Sequence, residues 1–158
     1  MRAVRDDPFQ RGEDAFLARL ARAFGGLPLP RGALGIGDDA AVLPGRPVRV
    51  VTLDVLVEGQ HFEFGLLSPE DLAARALEVN LSDIAAMGAR PEAAFLGLAW
   101  PASRAAAPLA ARFLAALRAA CLGRRVPLLG GDTVRAAPGA ATLALTVCGI
   151  PWPGGPVL

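Results

Sequence analysis

Four stretches of this chain repeat one device: apolar residues, then small residues, then an aspartate. They are Gly37-Asp38-Asp39, Thr52-Leu53-Asp54, Asn80-Leu81-Ser82-Asp83 and Gly130-Gly131-Asp132. A chain punctuated this way is built from short elements, because glycine and aspartate both favour turns. The device also has chemical content. Glycine lets the backbone approach a ligand closely, and carboxylate oxygens are the hard ligands that Mg²⁺ selects. Several aspartates gathered without a cation would repel one another, so a convergent set predicts bound metal. Metal ions can bridge a nucleotide's phosphates and offset charge in phosphoryl transfer. Spacing leaves the plainer alternative open, that each aspartate only forms its own turn.

Composition narrows the function classes. With 158 residues there is room for one ordinary domain. A hydrophobic share of 53% against 20% charged residues excludes a disordered tail. All 16 basic residues are Arg, so a lysine Schiff base, a Walker A loop and a kinase-type lysine are all excluded. The net charge of +1 draws the chain to neither nucleic acid nor an anionic membrane. No basic cluster alternates with aromatics, and the uncharged stretch 136–158 is interrupted by Pro138, Pro151, Pro153 and Pro156. Neither nucleic acid nor membrane is expected as a partner. The N-terminus lacks the apolar core of a signal peptide, so a cytoplasmic location is expected. Cys121 and Cys148 read as buried thiols. Charge is uneven: residues 1–83 sum to −4 and residues 84–158 to +5, with Asp132 the only acid after Glu92.

The spacing of Phe16, Leu17, Leu20 and Phe24 predicts a helix over 13–24, ended by Gly25-Gly26. A Gly-rich turn over 34–39 leads to a short strand over 40–43, and 48–53 reads as a β-branched strand ending at Asp54. Residues 55–67 form a loop with Glu58 and His61. Ser68-Pro69-Glu70-Asp71 is a helix start. That helix runs toward Asn80, and 81–87 continues it or forms a second one. Residues 93–99 read as a buried strand. Leu109, Phe113 and Leu117 mark a helix over 108–122, with Gly123 at its C-terminal end. A strand over 126–129 leads into the Gly-Gly-Asp turn, and 142–148 is a last strand. The fold class expected is mixed α+β, with one mixed β-sheet and helices packed on one face.

Read together, the motifs resemble thiamine-monophosphate kinase. They are Gly35-Ile36-Gly37-Asp38-Asp39-Ala40-Ala41-Val42, the stretch from Asp54 to Phe62 with its Glu58-Gly59-Gln60-His61, the stretch Val79-Asn80-Leu81-Ser82-Asp83 running on to Pro91, and Gly130-Gly131-Asp132-Thr133. The similarity spans nearly all of residues 13–158 and corresponds to the N-terminal half of the family's usual chain. The wider group includes aminoimidazole ribonucleotide synthetase, selenophosphate synthetase and a hydrogenase maturation factor. The resemblance implies an N-terminal extension over 1–12, an ATP- and Mg²⁺-binding domain over 13–149, and over 150–158 the start of a linker to a C-terminal domain. It also implies a sheet that pairs with its copy in a homodimer, with ATP near that interface. The reaction implied is ATP plus thiamine phosphate giving ADP plus thiamine diphosphate.

Carried over position by position, Asp39, Thr52, Asp54, Asp83 and Asp132 match metal-site residues. Asp39, Gly131 and Asp132 match ATP contacts, and His61 matches a contact to thiamine phosphate. Asp38 stands beside the matched Asp39. No general base is implied, because the nucleophile is an oxygen of the substrate's own phosphate, already anionic near neutral pH. Leu53, Val134 and Ala136 depart from the family's usual residues. Arg135 faces phosphate or solvent. Glu58 is a loop acid or a support for His61. Two alternatives accompany this reading: a non-catalytic dimerising nucleotide-binding module, and a related ATP-using enzyme with another acceptor.

Overall fold

Ser68 opens a helix in the way its neighbours require. Its hydroxyl oxygen accepts a hydrogen bond from the Asp71 backbone N–H at 3.0 Å, while Pro69, which lacks a donor, sits in the first turn. A computed structural model describes residues 13–31, 49–103 and 106–153. Within these residues the elements are α1 (Glu13–Phe24), β1 (Val50–Val57), α2 (Pro69–Ala86), β2 (Ala89–Pro101), α3 (Ala106–Arg124), β3 (Leu128–Ala136) and β4 (Thr142–Pro151). The strands form one mixed sheet in the order β1-β4-β2-β3. β4 runs antiparallel to both neighbours, whereas β2 and β3 are parallel and are joined through α3. Among the described residues β1 and β3 are therefore the two edges. This is the expected mixed α+β class with helices on one face.

The core lies between sheet and helices. Leu143, Leu145 and Val147 of β4 and Leu96, Leu98 and Trp100 of β2 are buried, together with Leu72, Leu77 and Ile84 of α2 and Phe113 and Leu117 of α3. Burying a side chain of this size contributes about 1.5–3 kcal/mol. Leu20 and Phe24 bring α1 into the same cluster. On the sheet's other face, Val51, Leu53, Val55 and Val134 are exposed. Two ion pairs join the exposed sides of α2 and α3, Arg112–Glu70 and Arg124–Glu78, both at 2.7 Å. The Arg112 guanidinium, hydrogen-bonded to both oxygens of Glu70, holds that carboxyl below its ordinary pKa. By length and composition α3 is apolar enough to cross a membrane, and here it packs on α2 instead.

Several boundaries differ from those read off the sequence. β1 does not stop at Asp54; pairing with β4 carries it on to Val57, opposite Thr142. α2 is one continuous helix, the first of the two alternatives for 81–87, and Asp83 sits within it and not at the turn its motif suggested. The Gly-Gly-Asp segment is not a turn either, because parallel pairing with β2 draws it into β3. β2 is longer than residues 93–99, and β4 continues to Pro151. Gly123 lies inside α3. The left-handed C-terminal residue is Arg125 at φ 56, with Val126 N–H donating to Cys121 O at 2.9 Å and Arg125 N–H to Leu122 O at 3.1 Å. The turn and strand read over 34–43, and with them Asp38 and Asp39, lie outside the described residues.

Candidate functional site

The inner side of β1 carries Val50, Thr52, Asp54 and Leu56, since alternate residues share a face. Val50 and Leu56 are buried as expected, but the two positions between them are polar. α2 packs over this strand. The Thr52 hydroxyl donates to Oδ2 of Asp83 at 2.7 Å, joining strand to helix. Asp54, two residues along on the same side, has its Oδ2 buried with no hydrogen-bond partner. A buried polar atom left unpaired costs about 1–3 kcal/mol, so such atoms in a native fold point to a partner that the chain does not supply. The donor set here is a hydroxyl and two carboxylates, all hard oxygens, which is what Mg²⁺ prefers. Among the described residues no group of three His, Cys, Asp or Glu is close enough to hold a metal ion. Thr52, Asp54 and Asp83 are oxygen donors of the kind Mg²⁺ takes, but by themselves they are too few to form a metal site.

Asp132 is elsewhere. It lies on β3, at the opposite edge from β1, roughly 14 Å away at about 4.8 Å per strand. Its register partner is Gly97, which pairs in turn with Ala144, and Ala144 with Val55. That row belongs to the exposed face, so Asp132 and Asp54 are on opposite faces of the sheet. Oδ1 of Asp132 accepts from the Thr133 backbone N–H at 2.9 Å. Gly131 has a structural reason of its own: its φ is +153, and a Cβ there would stand 1.8 Å from the carbonyl oxygen of Leu96. Arg135, beside them on β3, is exposed. The structure joins Thr52 to Asp83, sets Asp54 on the same face, and holds Asp132 and Gly131 apart from them.

His61 lies in a turn that follows β1. Its Nδ1 accepts from the Val57 backbone N–H at 3.1 Å. A backbone N–H can only donate, so the neutral ring carries its proton on Nε2. The turn closes through His61 N–H to Val57 O at 2.8 Å and Gly59 N–H to Phe62 O at 2.8 Å, with Gly59 at φ +80. Phe62 and Phe64 then anchor the loop. Their ring centroids are 5.3 Å apart, and the stack continues from Phe64 to Trp100 at 5.2 Å and from Trp100 to Phe113 at 5.6 Å. Beside the loop is a cavity of about 340 Å³ whose lining includes His61, Phe62, Glu63, Leu66, Leu67 and Arg75. Glu58 does not support His61; its Oε2 accepts from Ala141 N–H at 2.9 Å and ties the loop to the start of β4.

Arg75 escaped the sequence reading, because a lone arginine on a helix carries no motif. It donates through Nη1 to the carbonyl oxygen of His61 at 2.9 Å. The cysteines offer no nucleophile: burial pushes the Cys121 thiol up to about 11 and raises Cys148 as well.

Residues 37–151 match the family model for AIR synthase related protein, N-terminal domain. Among curated relatives, the thiamine-monophosphate kinase of Synechococcus elongatus is 44% identical over 116 residues, covering 72% of this chain and 34% of the relative. That of Bacillus subtilis is 40% identical over 106 residues, covering 66% and 32%. The chain thus spans about a third of the length of these relatives. The crystal structure of thiamine-monophosphate kinase from Stenotrophomonas maltophilia aligns with a TM-score of 0.70 at 35% identity, covering 89% of this chain and 42% of the other. AaThiL complexed with AMPPCP and TMP aligns at 0.60 and 25%, covering 94% and 43%. The hydrogenase maturation protein HypE, at 20% identity and a TM-score of 0.70, shares the fold. With the family model covering most of the chain, from the Gly-Asp-Asp motif to the end of β4, this protein belongs to the AIR synthase related family and carries its N-terminal domain.

Proposed function

We propose that this chain is the nucleotide- and metal-binding part of a kinase that moves a phosphoryl group from ATP to thiamine phosphate, giving ADP and thiamine diphosphate. The observation that carries the reading is the 2.7 Å Thr52–Asp83 hydrogen bond beside the buried, unpartnered Oδ2 of Asp54. Support comes from curated relatives with this activity in their name and from the AaThiL complex with AMPPCP and TMP.

Asp54, Asp83 and the Thr52 hydroxyl would hold Mg²⁺, with Asp39 as a further carboxylate, while Asp132, on the other face of the sheet, would act at a separate point of the nucleotide or its metal. Bound Mg²⁺ supplies the positive charge that offsets the phosphates during transfer. The chain's own residues do the rest by positioning. α2 and β1 keep Asp83 and Thr52 at a fixed separation, so the site is organised before ligand arrives. Gly131 and Asp132 contact the nucleotide, and His61 directs Nε2–H at an oxygen of the thiamine phosphate. The attacking oxygen belongs to that phosphate and is already anionic, so no side chain serves as a general base. A second copy of the chain covers the exposed face bearing Val51, Leu53, Val55 and Val134, making a homodimer. The location proposed is the cytoplasm, where ATP is supplied.

Thermal unfolding tests the site. A ligand at about a hundredfold excess over Kd stabilises the folded state by about 2.7 kcal/mol. ATP with Mg²⁺ is expected to raise the Tm of the chain by several degrees, ATP with EDTA much less, and Asp83→Asn is expected to remove the difference. Formation of thiamine diphosphate by the protein at its full natural length tests the reaction. Transfer to some other phosphorylated acceptor, with none to thiamine phosphate, would overturn the substrate assignment.

A further inference from the structure

The cavity beside His61 has a built polar end. Arg75 reaches it from α2 and spends only Nη1 on the His61 carbonyl, at 2.9 Å. Of the arginines in the described residues, Arg49, Arg112 and Arg124 pair with a glutamate, and the others, Arg75 among them, show no such pair. Arg75 forms no ion pair among the described residues, although Glu63 lines the same cavity. Among the described residues no carboxylate within contact offsets its charge. The hydrogen bond from Val57 N–H to Nδ1 orients the imidazole and leaves Nε2–H as the one donor of the neutral ring. Phe62 and Leu67 give the cavity an apolar side, with Leu66 exposed at its rim. The aromatic stack from Phe62 to Phe113 anchors the loop beside this open pocket.

We propose that Arg75 reads the phosphate of an organic phosphomonoester bound in this cavity, one guanidinium arm holding the His61 loop and the remaining N–H groups, with His61 Nε2–H, donating to the phosphate oxygens. A planar guanidinium meets a tetrahedral oxyanion through two parallel hydrogen bonds, which an ammonium reproduces only as a point charge. Naming that ligand as thiamine phosphate rests on the proposed function; the oxyanion site itself does not.

Two measurements on the protein at its full natural length separate these points. The first titrates inorganic phosphate into wild type, Arg75→Ala and Arg75→Lys, with Tm as the folding control. Wild type is expected to bind, Arg75→Ala to lose about tenfold or more, and Arg75→Lys to recover part of it. The second compares thiamine phosphate with unphosphorylated thiamine. Arg75→Ala is expected to raise KM for the phosphorylated ligand while kcat changes much less, and to leave thiamine binding as it was. Phosphate binding equal in wild type and Arg75→Ala, or none in wild type, would overturn the proposal. So would an equal loss for thiamine and thiamine phosphate, since that is what mere loosening of the loop produces. Arg75-dependent phosphate binding in a protein that fails to phosphorylate thiamine phosphate would support the oxyanion site and refute the kinase reading alone.

Discussion

β1 and β4 are hydrogen-bonded neighbours, yet they turn opposite chemistry toward the helices. β4 directs Leu143, Leu145 and Val147 into the core and leaves Thr142, Ala144 and Thr146 on the open face. β1 does the reverse. Thr52 and Asp54 point inward between Val50 and Leu56, while Val51, Leu53 and Val55 face outward at 60%, 58% and 44% exposure. A strand that only had to fold would follow the pattern of β4. The inversion costs stability on both faces, through an unpaired carboxylate oxygen inside and wetted aliphatic side chains outside. Such local violations of patterning mark function. Under the proposed function the inner violation serves ligand and the outer one serves a second copy of the chain.

One row of the sheet lets this contrast be tested. Asp54 pairs with Leu145, Leu145 with Leu96, and Leu96 with Gly131. The largest effect is expected at Gly131→Ala, whose Cβ would overlap the Leu96 carbonyl at a φ that only glycine adopts easily. A loss of about 4 kcal/mol or more in urea unfolding is expected, or failure to fold. Leu145→Ala, which empties the core position directly opposite Asp54, is expected to cost about 3 kcal/mol in the same measurement.

Asp54→Val is the sharpest test, because it makes β1 resemble β4. Removing the unpartnered carboxylate is expected to raise the stability of the ligand-free chain by about 1 kcal/mol. The Mg²⁺-dependent Tm shift with ATP should vanish at the same time. A ligand-free variant less stable than wild type would mean that Asp54 is structural, and the contrast between the strands would lose its functional meaning. The smallest change in chain stability is expected for Leu53→Glu, within about 0.5 kcal/mol, since surface substitutions rarely do more. Its readout is association: sedimentation should show wild type as a dimer and the variant as a monomer. An unchanged sedimentation coefficient would remove the dimer from the outer face of β1.

The acid motifs were legible as a parts list, and two of the parts, Thr52 and Asp83, do meet. Their settings were not legible. Asp54 and Asp132 read as turn residues and Asp83 as either a turn residue or part of a helix over 81–87; none of the three is in a turn. Aspartate followed by ordinary strand or helix residues looks locally like a turn former, and only pairing with β4, the length of α2 and pairing with β2 override that. Arg75 had no signal at all, because its importance comes from the loop it touches.

What the sequence determined by itself is what neighbouring residues decide together. The Ser68 cap acts within three residues, and the spacing of Leu109, Phe113 and Leu117 acts within single turns of helix, so α1, α2 and α3 could be located before any partner was known. The tertiary structure decided everything that depends on partners distant in the chain. Whether Asp54 faces ligand or solvent depends on the register of Val50–Val57 against β4, and a shift of one residue would exchange the two faces of β1. The glycine at position 131 is demanded by a carbonyl on another strand. The separation of Asp132 from Asp54 follows from a strand order that places β1 and β3 at opposite edges.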